Sequence, residues 1–502
     1  MMKKQIKTIL FLLMVSLMSY AMGAITPGDS ARTFLSTYDQ SSQPYRLFIP
    51  DAVKEGNPLP LLVVLHGKWV DQNAWFDYTP VKNYANQRGY VVIAPYARGD
   101  YFYRGPGEQD VLDLIKEAQT LVSIDTNRIY LMGHSMGGWG TWWLGLRHPD
   151  IFAAICPMAG MAPLDLIENA KYLAPMVIHD STDNIVPVEN SRNAVRELEK
   201  KNISHQYIEP AKYAHDSKMI GDYLPTVLDW FDNHRKITRP YQIEYTCRTP
   251  LNGNAYWLRI LSFIDPIKAE GKISALLNGD RVLKIQTRNL DEFAINLQQM
   301  PGFATDSLIL SVDSSQMEIQ PMENKDLLLK RDNKSGQWKV EFISWQKLPV
   351  YESKVIAQWN KDTAALFTDK SILAKSAAFF LNRRFKTDCC LFQDDMFQMP
   401  VGPLTREKIQ DLYVYREEAL AKFEVDGETL QKVMKELDKD SPLVRVKPFP
   451  EIKEISPLKT YQVLTPVNIA TLFSPTPQIL DETIKEILVE EVEKENLFPP
   501  KF

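Results

Sequence analysis

The sequence predicts an α/β protein: a mostly parallel sheet flanked by helices, followed by an all-β accessory region and a mixed α/β C-terminal region. Three observations carry this. Between about residues 40 and 235, apolar runs of strand length alternate with helical patterns, which builds a parallel sheet with helices on both faces. After "ITRP" at 237–240 the texture changes to short strands and tight turns. From about residue 350 helical patterns return. A chain of 502 residues also exceeds what one core supports. The implied segments are 1–24, 25–239, 240–348 and 349–502.

The first segment, "MMKKQIKTILFLLMVSLMSYAMGA", is not fold material. Lys3, Lys4 and Lys7 precede an apolar run from Ile9 to Met18, and the small residues Ser19, Ala21, Gly23 and Ala24 follow. This is the pattern of a secretory signal peptide. The run is short for a membrane span, and no cysteine follows it to support a lipoprotein route. The expectation is export to the periplasm or the exterior, with no membrane span after cleavage.

In the second segment "YRLFI", "LPLLVVLHG", "YVVIAP", "RIYLMGH", "IFAAICPMA", "APMVIHD" and "SHQYIEP" read as strands. "LPLLVVLHG" is continuously apolar, as in a strand covered on both faces. "VLDLIKEAQTLV", "ENSRNAVRELEKK" and "KMIGDYLPTVLDWFDNHRK" read as helices, the last disturbed at Pro225. In the third segment "ISALLNGDRVLKIQT" carries Asn278-Gly279, a hairpin signal, and "LLLKRDNKSGQWKVEFI" resembles a second hairpin. In the fourth, "SILAKSAAFFLNRRF", "TREKIQDLYVY", "ETLQKVMKEL" and the acidic "ILDETIKEILVEEVEKENL" read as helices.

Hydrophobic content of 45% and charged content of 24% are ordinary for globular protein. A net charge of −5 gives no electrostatic reason to expect nucleic acid or an anionic membrane as a partner. Cys156, Cys247, Cys389 and Cys390 form neither a disulfide framework nor a metal-ligand spacing. Cys156, in "IFAAIC", reads as a buried small hydrophobe.

The chemistry centres on "GHSMGGWGTWWLGLRHPD". Gly133-His134-Ser135-Met136-Gly137 is a G-x-S-x-G pattern between a strand and a helix, the context that lifts a serine hydroxyl clear of a sheet edge. That hydroxyl needs a base. All seven histidines lie in the first half of the chain. His66 and His179 end strands, His134 sits inside the turn, and His148 and His234 lie near helix ends. His215, in the loop between the last strand and the last helix, is placed to reach over the sheet edge, with His205 its competitor. Asp183 and Asp180, in "HDSTDNIVP", follow a strand and can orient the imidazole; Asp183 lies deeper in the loop. An oxyanion needs exposed amides: Met136 opens the helix, and Lys68 or Trp69 follows the strand ending at His66-Gly67.

Trp139, Trp142 and Trp143 stand four, seven and eight residues after Ser135, near one stripe of a helix. They read as packing, with Trp139 near enough to touch a pocket. Aromatic residues in the strand-following loops (Trp69, Trp75, Phe76, Tyr101, Phe102 and Tyr103) are candidate substrate platforms.

These residues resemble the α/β-hydrolase superfamily across roughly 40–235, and within it secreted esterases and the catalytic domains of prolyl-oligopeptidase-like enzymes. The likeness runs through "DTNRIYLMGHSMGGWGTWWLGLRHPDIFAA", the "LHG" turn and "DNIVP". It implies the order Ser135, Asp183, His215 for a catalytic triad. Asp180 departs from the pattern, since many relatives carry glycine there. The resemblance implies an exported serine hydrolase acting on carboxylic esters, with a small-molecule, glycan-ester or short-peptide substrate and no metal or organic cofactor. The alternatives are a serine peptidase on short peptides and an inactive hydrolase fold that binds glycans or surfaces. Prolyl oligopeptidases precede this domain with a gating propeller, and almost nothing lies here between the expected signal peptide and the first strand, which weakens the peptidase alternative and implies a more open site.

Residues 365–475 resemble more faintly the C-terminal domain of bacterial 5′-nucleotidases, in "GPLTREKIQDLY", "FEVDGETLQKVM" and "TYQVLT". The family's Asn-Gly-Gly-Gly-Ile-Arg segment, expected near 392–397, and its Pro-Phe-x-Asn, expected near 415–418, are absent, so the resemblance implies a scaffold or binding role.

Overall fold

The computed structural model describes residues 26–348 apart from Tyr101, 266–269, 280 and 303–306. Beyond 348 it describes short stretches at 355–359, 381, 384, 389–393, 404–405, 419–426, 428–432, 446–449, 460–466, 478–483 and 497–498. The expected signal peptide lies outside the described residues, as do most of the helices expected after 350 and most of the nucleotidase-like segment. Two compact units divide the chain at Thr238–Arg239.

Among its described residues the first unit holds eight strands and six α-helices: β1 (Gly28–Leu35), β2 (Ser42–Ile49), β3 (Leu59–Leu65), α1 (Ala74–Tyr78), α2 (Val81–Arg88), β4 (Val91–Pro95), α3 (Pro106–Leu121), β5 (Ile124–His134), α4 (Met136–Arg147), β6 (Ala154–Met158), β7 (Met176–Ile178), α5 (Glu189–Lys200), β8 (Gln206–Ile208) and α6 (Lys218–Asp232). One sheet runs in the order β1-β2-β4-β3-β5-β6-β7-β8. β1, β2 and β4 pair antiparallel, and β4 to β8 are joined by parallel pairings. Every residue of β3 and β4 is buried, because helices cover both faces. Alternate residues serve opposite faces. Leu62, Val64, Tyr130, Met132, Cys156 and Met158 pack against Val81 and Ala85 of α2 and Leu224, Val227, Leu228 and Phe231 of α6. On the other face α4 comes down on Leu65 and Ile155. Cys156 is fully buried as a free thiol.

Two local expectations are corrected. β1 pairs along its length with β2, although "GDSARTFL" carries no apolar alternation. Its side chains are mostly exposed, so an edge hairpin defines it rather than burial. α6 runs unbroken through Pro225. Its apolar stripe, from Met219 to Phe231, is buried in the core, and this packing outweighs the hydrogen bond that proline forfeits.

In the second unit two five-stranded sheets share a core. The strands are β9 (Gln242–Cys247), β10 (Asn254–Ala255), β11 (Leu258–Phe263), β12 (Gly271–Asn278), β13 (Val282–Arg288), β14 (Leu290–Ile295), β15 (Leu308–Val312), β16 (Ser315–Ile319), β17 (Asp326–Arg331) and β18 (Trp338–Ile343). The sheet orders are β10-β11-β14-β17-β18 and β16-β15-β13-β12-β9. Tyr245, Ile273 and Leu283 of one sheet meet Ile260, Phe293 and Trp338 of the other in a single cluster. Asn278 pairs with Val282 across the expected hairpin, with Gly279 at φ +57° in the left-handed region that its turn requires. β17 and β18 form the second hairpin. Near the C-terminus Gln478–Thr483 is a strand, so the acidic segment expected to be helical begins extended.

Candidate active site

Ser135 joins β5 to α4 with φ 59° and ψ −122°, a strained conformation for a residue with a side chain. The glycines around it permit that turn. A methyl group on Gly133 would lie 2.4 Å from the Gly137 carbonyl oxygen, on Gly137 2.2 Å from that of Leu65, and on Gly138 2.2 Å from that of Met158. The elbow is pressed backbone to backbone between the ends of β3 and β6, and the Ser135 amide donates to Met158 O at 3.0 Å.

The loop after β8 brings His215 over the sheet edge. Its Nε2 lies 2.9 Å from Ser135 Oγ and its Nδ1 lies 2.6 Å from Asp183 Oδ2. In that arrangement Nδ1–H donates to the carboxylate and Nε2 accepts from the hydroxyl. Asp183 Oδ1 accepts the amides of Ile185 and Val186 at 2.9 and 2.8 Å. Burial would raise the Asp183 carboxyl, but His179, His215 and the two amides outweigh it and hold the group well below the usual carboxylate range. His179 is fully buried, with Nε2 2.9 Å from Val186 O and 3.3 Å from Asp183 Oδ2, and Nδ1 2.8 Å from Ser191 Oγ.

Asp180 does not touch His215. It accepts four hydrogen bonds, from the Thr182 amide and hydroxyl and from the amides of Lys212 and Tyr213. His205 is turned away, with Nδ1 on Ile203 O at 2.8 Å. His234 bonds Trp230 O and His148 bonds Glu108.

Gly67 brings the turn after β3 beside the elbow: a methyl there would lie 3.8 Å from Ser135 Cβ. His66 anchors this turn through Tyr96 O at 3.0 Å. Met136 is the first residue of α4, where an amide has no acceptor inside its own helix. The Trp69 amide, from a residue at φ 65°, donates to Asp100 Oδ1 at 2.9 Å. It is thus engaged away from the elbow.

The aromatic candidates separate sharply. Trp69 is 59% exposed. Trp75 is 3% exposed and its indole donates to Leu65 O at 2.8 Å; Phe76 is also buried. Tyr103 is fully buried, its hydroxyl on His66 O at 2.9 Å and its ring against Gly140. Trp75 and Tyr103 are therefore corrected from platform to packing: both brace the strand end and turn next to Ser135. Tyr101 lies outside the described residues. Trp139 is 9% exposed and packs on Phe102 with ring centres 5.0 Å apart. Trp142 and Trp143 are buried, as the helical stripe requires. Sequence reasoning missed the roles of His179, Asp100 and Tyr103. Only their positions in strand-following segments could have marked them.

Among the described residues no cluster of three or more His, Cys, Asp or Glu could hold a metal ion. Also among them, no helix is long and apolar enough to cross a membrane.

Residues 76–166 match the prolyl oligopeptidase family. Over 128 residues the chain is 28% identical to feruloyl esterase B of Thermothelomyces thermophilus, covering 23% of this chain and 43% of that protein. Over 138 residues it is 31% identical to cutinase 1 of Thermobifida cellulosilytica, covering 26% and 49%. The chain thus spans less than half the length of these two relatives. A solved thermostable esterase is 29% identical, with a TM-score of 0.37, over 41% of this chain and 63% of that one. The first unit has an α/β-hydrolase fold.

Proposed function

We propose that this chain is an exported serine hydrolase that cleaves carboxylic esters through an acyl-enzyme. The observation that carries this is the continuous hydrogen-bonded line from Ser135 Oγ through His215 to Asp183, 2.9 Å and 2.6 Å long. Ser135 attacks the ester carbonyl carbon while His215 Nε2 takes its proton. Asp183 keeps the other ring nitrogen protonated and stabilises the imidazolium that forms. The negative oxygen of the tetrahedral intermediate is received by the Met136 amide and the Lys68 amide. His215 then protonates the leaving alcohol. Water, deprotonated by His215, attacks the acyl-enzyme and frees the acid and Ser135.

Trp69, exposed and next to the oxyanion turn, suits an aryl or otherwise apolar substrate group. The names of the relatives, feruloyl esterase and cutinase, point to the same classes of ester. The decisive test has two parts. A fluorophosphonate probe should label the wild type and not Ser135→Ala; equal labelling removes Ser135 from the mechanism. A panel of short acyl, hydroxycinnamoyl and long-chain esters, run beside short peptides, should show turnover of esters. Turnover of peptides alone would replace the esterase reading with a peptidase.

A further inference from the structure

We infer that Asp180 is a positioning residue for catalysis, acting through His215 by clamping the loop that carries the imidazole. This rests on the serine-hydrolase reading above.

Asp180 lies two residues beyond the end of β7 and is fully buried. Oδ2 accepts the amides of Lys212 at 2.8 Å and Tyr213 at 2.7 Å, while Oδ1 takes the Thr182 amide at 2.8 Å and its hydroxyl at 2.5 Å. Burial would raise this carboxyl, but the four donors hold it down at about 2. It is therefore an anion across the working pH range, and hydrogen bonds to an ionised acceptor are the strong ones. One side chain thus joins the segment bearing Asp183 to the segment bearing His215. The Ser181 amide adds a bond to Pro210 O at 2.7 Å.

The backbone of the histidine loop needs such a clamp. Ala214, between the clamped amides and His215, stands at φ 51°, a left-handed conformation that is costly for alanine. It persists only where the surroundings hold both ends. Tyr213 O accepts the Asp216 amide at 2.9 Å, and the Tyr213 hydroxyl donates to Asp222 at 2.6 Å. These hold the far side; Asp180 holds the sheet side. Without its carboxylate the amides of Lys212 and Tyr213 lose their acceptor. The loop then relaxes out of the left-handed turn, and Nε2 leaves its line to Ser135 Oγ. Asp180 is enclosed by these donors, so substrate binding is left alone while the proton transfer suffers.

The test compares Asp180→Ala and Asp180→Asn with wild type on a small activated ester. Asparagine keeps one oxygen for the two loop amides, and the Thr182 hydroxyl can accept from its NH2 group. The expectation is a kcat about 100-fold lower in Asp180→Ala, the scale of a misplaced catalytic group. KM should stay within about twofold, and Asp180→Asn should stay within about tenfold of wild type. Equal losses in the two variants, a KM that rises in step, or a folded Asp180→Ala with wild-type kcat would overturn the proposal. Hydrogen exchange on the wild type gives a reading that needs no variant. The Lys212 and Tyr213 amides should exchange slowly, and unprotected exchange there rejects the clamp even if Asp180→Ala does not fold. Activity surviving in Ser135→Ala would instead sink the serine-hydrolase reading, which the exchange measurement does not depend on.

Discussion

The ring of His134 lies 4.9 Å from the ring of His215, tilted by 40°. His134 Nε2 is buried without a hydrogen-bond partner among the described residues. Burial, and next the charge that His215 can carry, push the His134 imidazole down to about 3. Asp183 and Asp216 pull it the other way and His179 pulls it further down. His134 therefore sits as a neutral ring beside His215. The unfolded chain binds a proton at this residue near pH 6.5 and the folded chain near 3, so this share of stability is complete above the unfolded value. It is lost as pH falls through that window. His134→Phe should remove the penalty. The urea midpoint of wild type should fall more between pH 7 and pH 4 than that of the variant. Equal falls would mean that His134 is protonated in the fold without cost.

Asp183→Asn should leave the protein folded and lower kcat by about 10⁴-fold, because an amide at this position favours the wrong imidazole tautomer. The isosteric change keeps an oxygen for the amides of Ile185 and Val186, which bond Oδ1. Loss should therefore be confined to turnover. A melting temperature close to wild type with a small kcat effect would show that Asp183 only holds its loop.

The hydrogen-bonded line of Ser135, His215 and Asp183 was legible because its parts are tied to topology. A serine in a strand–turn–helix glycine motif, an acid after one strand and a histidine after the next must meet at one sheet edge. Between Asp180 and Asp183 the sequence offered only depth in the loop, which favours Asp183, since both follow β7. In the structure the loop turns Asp183 toward His215 Nδ1 and Asp180 toward the amides of Lys212 and Tyr213. The aromatic loops misled for a related reason. Trp75 and Tyr103 each carry one polar atom that a buried backbone carbonyl satisfies, and a sequence does not show which loop aromatics fold inward. β1 escaped because an exposed edge strand leaves no apolar period to read.

Trp69 and Tyr103 should separate by what they change. Trp69→Ala should raise KM for aryl esters about tenfold, the worth of one aromatic contact, with small effect on melting temperature. Tyr103→Phe removes the donor to His66 O. A buried carbonyl left unpaired costs about 1–3 kcal/mol, so melting temperature should fall. Steady-state kinetics and thermal melts of both variants decide it; a Tyr103→Phe with unchanged melting and raised KM would return Tyr103 to the substrate.

The glycines of α4 should divide by what a methyl group would strike. On Gly138 it would lie 2.2 Å from the Met158 carbonyl oxygen and 3.2 Å from the Gly160 Cα. Both are backbone atoms, so no rotamer change relieves the clash, and the N-terminus of α4 would have to lift from β6. Ser135 stands three residues before, held to the same carbonyl through its own amide. Lifting the helix therefore also moves Ser135. Gly145 lies two turns further along the same helix. Its added methyl would meet the Ile155 Cδ1 at 3.1 Å and Cγ2 at 3.3 Å, the first of which is the end of a side chain that can rotate. Alanine in a helix gains about 1 kcal/mol over glycine, which offsets much of that contact. Gly138→Ala should yield little folded protein and no fluorophosphonate labelling. Gly145→Ala should fold with a melting temperature near wild type and label fully. If both behave alike, the backbone contact between α4 and β6 does not control the placement of Ser135.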